Sequence, residues 1–101
     1  LNTQFRKGAL ELCVMAMIYK KDMYGYEIVQ NISASIEVNE GTIYPILRRL
    51  TKDGYFETYM VDSRGGPARK YYAITELGKE YFELQKKEWY SFIKEVGALI
   101  E

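Results

Sequence analysis

The first helical segment, about Gln4 to Lys20, constrains the fold more than any other stretch. Leu10, Leu12, Cys13, Val14, Met15, Met17, Ile18 and Tyr19 nearly encircle it. A helix that is apolar all round needs cover on every side. The chain has 101 residues, which sets one compact domain with a modest core as the default. Part of the cover for this helix is therefore expected from a second chain. The apolar run Ala9 to Tyr19 is interrupted by Glu11 and falls short of the ~18 residues needed to span a bilayer, so no membrane partner is expected. No secretory signal is visible, and the chain begins at Leu1, so a few preceding residues are expected.

Three further elements follow in order. The stretch "DMYGYEIVQNI" opens a second helix near Tyr24, with Tyr26, Ile28, Val29 and Ile32 as its buried face. After the short turn "SASIEV", a third helix reads from both ends. Asn39 is an N-cap, Glu40 suits the first turn, and Ile43, Ile46, Leu47 and Leu50 recur at helical period. Gly54 in "KDGYF" stands at its C′ position. Helix, helix, turn, helix is compatible with a helix-turn-helix. Then come two β-rich runs, "YFETYMV" and "RKYYAIT", around "DSRGGPA". A hairpin directly after a helix-turn-helix is a winged helix. Tyr71 and Tyr72 alternate across the second strand, which places one in the core and the other half out of it.

Thr75 caps a last helix that runs from Glu76 to the end, roughly 39 Å at 1.5 Å per residue. That is too long to pack only on a small winged-helix core. Gln85, Trp89, Phe92, Val96 and Leu99 form a seam like that of a short coiled coil. The expected fold is mostly α with a small β-hairpin. Residues 1–75 would form the winged-helix unit, and residues 76–101 a dimerisation helix. The competing reading folds that helix back on its own domain.

Residue types narrow the chemistry. There is no histidine and one cysteine, which excludes Ser-His-Asp and Cys-His arrangements, histidine zinc sites and an internal disulfide. No cofactor or metal is expected. Cys13 reads as a small buried hydrophobe, and a single cysteine fits a reducing cytoplasm. Glu76/Glu80 and Glu83/Lys87, at i,i+4 spacing, read as a solvated face rather than a catalytic pair. Formal net charge is zero, yet Gly41 to Lys70 holds six basic residues (Arg48, Arg49, Lys52, Arg64, Arg69, Lys70) against three acidic ones (Asp53, Glu57, Asp62). A local excess of this kind can bind a polyanion although the sum cancels.

Taken together, "GALELCVMAMI", "MYGYEI", "EGTIYPILRRL", "DGYFE", "GGPARKYYAIT" and "LGKEYF" resemble the PadR family of bacterial transcriptional regulators, from about Lys7 to Trp89. The resemblance implies winged-helix homodimers, commonly repressors, that dimerise through the C-terminal helix with help from the first. The single C-terminal helix is similar to that of the short-tailed subgroup. Asn39 stands where many relatives carry serine, and both cap a helix.

By that resemblance the third helix reads double-stranded DNA. Gly41 lets its start lie near a phosphate and relieves crowding against the Pro45 ring. Thr42 and Tyr44 project from its N-terminal part, with Arg48 one turn on. Tyr44 either contacts DNA or is half-buried core. Arg49, about 100° away, is expected as a solvated charge or an edge contact. In the wing, Arg64 between Ser63 and Gly65–Gly66 would reach a groove or a phosphate, and Arg69 and Lys70 the phosphate backbone. The bland reading of Arg64 is solubility. Trp89 is either dimer packing or one wall of a site for a flat aromatic effector, with Phe92 and Met15 or Cys13 completing it. A winged-helix protein-interaction module without DNA binding stays open as the alternative, and a small enzyme is disfavoured.

Overall fold

A computed structural model describes residues 3–101, with side chains from Lys7 onward. The first helix, α1 (Thr3–Lys20), lies at the centre of the fold. Leu10, Val14, Met15 and Ile18 bury fully on one side of it. Leu12, Cys13 and Met17 pack partly against the same core from its flanks. Cys13 is thus half-buried rather than buried, because the core stripe runs through positions 10, 14 and 18. Burial still pushes its thiol pKa up, which disfavours the nucleophilic thiolate.

The chain then makes a two-residue strand, β1 (Met23–Tyr24), and enters α2 (Gly25–Ser33). The Tyr24 N–H donates to the Glu27 carboxylate at 3.3 Å, which satisfies a free amide at the helix start. The buried stripe of α2 is Gly25, Ile28, Val29 and Ile32. Tyr26, expected on that stripe, is about half exposed instead. It stands roughly 100° round the helix from Gly25, and Gly25 takes the inward place.

Helix α3 (Glu40–Lys52) is capped as the sequence reads. The Asn39 side chain accepts from the Thr42 N–H at 3.2 Å. Ile43, Ile46, Leu47 and Leu50 face the core. Asp53 closes the helix, and Gly54 follows at φ +86°, a conformation that only glycine adopts at little cost. Strands β2 (Phe56–Val61) and β3 (Arg69–Ile74) pair antiparallel from Phe56↔Ile74 to Val61↔Arg69. The hairpin is joined by β1, which pairs Met23↔Tyr72 and Tyr24↔Tyr71, so the sheet has three strands in the order β1-β3-β2. Tyr72 is buried and Tyr71 half-buried, as the alternation requires.

Helix α4 (Glu76–Ile100) starts at Thr75, whose hydroxyl accepts from the Gly78 N–H at 2.9 Å and donates to the Gly54 carbonyl at 2.7 Å. Its first turns pack antiparallel on α1. Phe82 joins the core and meets the Tyr19 ring at 5.2 Å. The two halves of this helix differ. The near half folds back on the domain, whereas Phe92, Ile93, Leu99 and Ile100 in the far half are exposed. Among the described residues no helix is long and apolar enough to cross a membrane.

Candidate nucleic-acid interface

On α3 the outward stripe is Gly41, Pro45, Arg48 and Lys52, all exposed, at steps of 4, 3 and 4. Its first half has no projecting polar side chain, and its second half carries two cations. A surface in close approach to a polyanion can use both features. Gly41 and Pro45 keep the backbone near the surface, and the cations sit beyond them. By sequence Lys52 counts in the local basic excess but has no assigned contact. The i, i+4, i+7, i+11 spacing from Gly41 is the signal that finds it.

The two flanks of the stripe differ. On one side Tyr44 is half-buried, its ring lying over Gly25; a Cβ at residue 25 would fall 2.6 Å from Tyr44 Cε1. The glycine of the chain's Tyr-Gly-Tyr segment therefore makes room for the Tyr44 ring. Burial, and secondarily the Glu40 charge, raises the Tyr44 pKa, which keeps its hydroxyl a neutral donor. Tyr24, Gly25, Tyr26, Tyr44, Arg48, Lys70 and Tyr72 line a concavity of about 370 Å³ between α2, α3 and β3. On the other flank, Thr42 is half-buried and its hydroxyl lies 3.4 Å from the Asn39 carboxamide, so capping occupies it in part.

Arg49 is placed differently from the sequence expectation. It is partly exposed, and its charge is paired rather than simply solvated. Its guanidinium forms an ion pair with Glu11 of α1, a partner 38 positions away. The hydrogen bond it donates to that carboxylate is the main reason its pKa rises further. The local basic excess is thereby carried by Arg48, Lys52, Arg64, Arg69 and Lys70.

In the wing, Arg64 is exposed beside Gly65, whose φ of +68° makes the turn. Gly66 is exposed next to it, and the Ser63 hydroxyl donates to the Pro67 carbonyl at 2.7 Å across the loop. Lys70 lies on the concave side with Tyr72. Arg69 lies on the opposite face, its guanidinium 4.5 Å from the centre of the Tyr24 ring. There Tyr24, Tyr71 and Tyr59 form a row across all three strands, with ring centres 5.5 and 5.6 Å apart. The Tyr59 hydroxyl ends the row with a 2.7 Å bond to Asp22. Arg69 and Lys70 are thus on opposite faces of β3, as alternation dictates.

A separate groove of about 280 Å³ runs between α1 and α4, lined by Gly8, Ala9, Glu11, Leu12, Met15, Tyr81, Gln85, Glu88 and Trp89. It brings Trp89 and Met15 together. Cys13 and Phe92 are not among its walls, and Phe92 points out, 62% exposed. Among the described residues no group of three or more His, Cys, Asp or Glu is placed to hold a metal.

Comparison with known proteins bears on this geometry. Residues 14–84 match the transcriptional regulator PadR-like family. A Streptococcus transcriptional regulator is similar in structure with a TM-score of 0.88 and 37% identity, covering 99% of this chain and 100% of that one. The PadR-like transcriptional regulator of Bacillus cereus gives 0.86 and 37%, covering 98% of each chain. In sequence, the chain is 42% identical over 94 residues to Uncharacterized protein X of Lysinibacillus sphaericus, covering 89% of this chain and 85% of that protein. The helix order, the three-stranded wing and these likenesses agree: the chain belongs to the PadR-like family of transcriptional regulators, which are winged-helix proteins and not enzymes.

Proposed function

We propose that this chain is a cytoplasmic repressor that binds a pseudo-palindromic operator as a homodimer, with its two α3 helices in successive major grooves. The observation that carries this reading is the joint placement of Arg48, Lys70 and the Tyr44 hydroxyl around one concavity beside the smooth Gly41–Pro45 surface. Phosphates seated against Arg48 and Lys70 would fix the register. Thr42 and Tyr44 would face the bases, and Arg64 with Gly65 and Gly66 would follow the adjacent backbone. Arg69, which packs on Tyr24, would contribute field more than direct contact. Dimerisation would use the exposed apolar far half of α4, which fits the role of residues 76–101 as a dimerisation helix.

A small aromatic effector fits the same scheme. The α1/α4 groove is at the small end of the ~300–1,000 Å³ typical of ligand sites. A planar molecule would therefore lie against Trp89 and need a second wall from the partner chain. It would relieve repression only by binding the non-operator arrangement more tightly.

The experiment is a salt titration of duplex binding. With phosphate contacts from both subunits, log affinity should fall against log salt with a slope of about −0.9 per phosphate neutralised. Arg64→Ala and Lys70→Ala should each flatten the slope while the dimer persists. Tyr44→Ala should cost roughly 1–3 kcal/mol on the specific duplex if Tyr44 reads a base or its methyl. A chain that binds no duplex from its own upstream DNA, yet captures protein partners, would favour the interaction-module reading instead.

A further inference from the structure

Glu11 connects three helices through one carboxylate. Its Oε2 takes the Arg49 guanidinium of α3, and its Oε1 accepts from the Tyr81 hydroxyl of α4 at 3.2 Å. Its side chain is only 18% exposed. Tyr81 is in turn held face to face on Tyr55, with ring centres 4.0 Å apart and planes 8° from parallel. Tyr55 directly precedes β2, and its carbonyl accepts from the Thr75 N–H at 3.0 Å. A leucine at position 11 could fill the same space, but it would have no directional demand. A carboxylate with one oxygen on a guanidinium fork and the other on a hydroxyl fixes angle as well as distance. Arg49 sits next to Arg48 on α3, so the pair also fixes how far the outward stripe is rotated about the helix axis. Neither Glu11 nor Tyr81 lines the concavity that carries the DNA reading.

We infer that Glu11 is a positioning residue: it ties the orientation of α3 to α4 through Arg49 and Tyr81, and in a dimer joined by α4 it thereby sets the separation of the two reading helices. The inference rests on the operator-binding reading above. Arg49 is on this account a structural cation and not a phosphate contact, although it stands in the basic segment.

The test uses duplexes selected by the wild-type chain from a randomised pool, then rebuilt with the half-sites moved closer or farther by one and two base pairs. Two-fold DNA readers match half-sites about 34 Å apart, so the wild type should bind the respaced duplexes at least about tenfold more weakly. Glu11→Gln and Tyr81→Phe should lower affinity at the best spacing by roughly fivefold, since Arg49 is part exposed and its pair is screened. They should also reduce the respacing penalty to a few-fold. The slope against salt should stay at the wild-type value in both variants and in Arg49→Gln, because no phosphate contact is lost. The reversed pair Glu11→Arg with Arg49→Glu should recover part of the penalty. Thermal melts and dimer mass, measured alongside, separate this role from simple stability. Variants that lose affinity equally at every spacing would overturn the inference, and so would a flattened salt slope in Arg49→Gln. A wild type that selects no duplex would instead overturn the operator reading itself, and the inference with it.

Discussion

Gly78 and Gly97 occupy the same helix, α4, in opposite circumstances. Gly78 is buried at the start, where a Cβ would collide with the Tyr55 carbonyl and with Ile74. At Gly97 no described atom comes within 4 Å of where a Cβ would stand. The large side chains repeat the contrast. Phe82 is 6% exposed and packed in the core, while Phe92 is 62% exposed. One apolar periodicity runs through both halves, but the domain has surface to offer only the first. The lesson is that a hydrophobic repeat states how much cover a helix needs, and not whether its own chain supplies it.

The phenylalanines give the largest test of that contrast. Phe82→Ala should destabilise the fold by about 3–5 kcal/mol, seen as a lowered denaturant midpoint. Phe92→Ala should stay within about 0.5 kcal/mol in the monomer. It should instead weaken self-association, read by sedimentation at graded concentrations. A Phe92 variant that is as unstable as the Phe82 one would show that the far half is closed within the chain. The glycines come next. Gly78→Ala should cost about 1–3 kcal/mol, at the upper end because a carbonyl in a turn cannot give way as a side chain does. Gly97→Ala should gain up to about 1 kcal/mol from helix propensity. Matching signs for the two would erase the distinction.

A smaller effect concerns alkali. Burial, followed by the Glu11 charge and the hydrogen bond to it, raises the Tyr81 pKa above its ordinary value of 10.0. A raised pKa in the folded state means stability that is fully present below the unfolded value and lost as pH rises through the folded one. Melting temperature should therefore hold up to about pH 10 and then fall, and Tyr81→Phe should make that fall shallower. Tyr44 and Tyr72 are shifted the same way, chiefly by burial, and will keep part of the slope.

Much of this was legible in local signals. Asn39, Gly54 and Thr75 mark element ends because capping and left-handed turns are decided by one residue and its near neighbours. The Gly-Gly-Pro hairpin and the alternation of Tyr71 and Tyr72 were readable for the same reason. The sequence was silent where the deciding partner is distant. β1 is too short to show a period, and it exists only because β3 offers a free edge. Tyr26 reads as part of the buried face of α2, but Gly25 holds the inward place under Tyr44. Arg49 looks like one more surface cation until Glu11, 38 residues earlier, is brought beside it. Phe92 belongs to the seam by period and stands outside the α1/α4 groove by direction.

The basic residues gathered on α3 and the wing have a consequence in time rather than in affinity. A molecule with zero formal charge feels no net pull from a distant polyanion, but a separated +3 and −3 feel a torque. In a two-fold assembly the dipole components across the axis cancel, and those along it add. Such a particle would turn its reading face toward DNA before contact, over about a Debye length, ~8 Å at physiological salt. Raising the salt should then slow the encounter itself, by spoiling the alignment on approach.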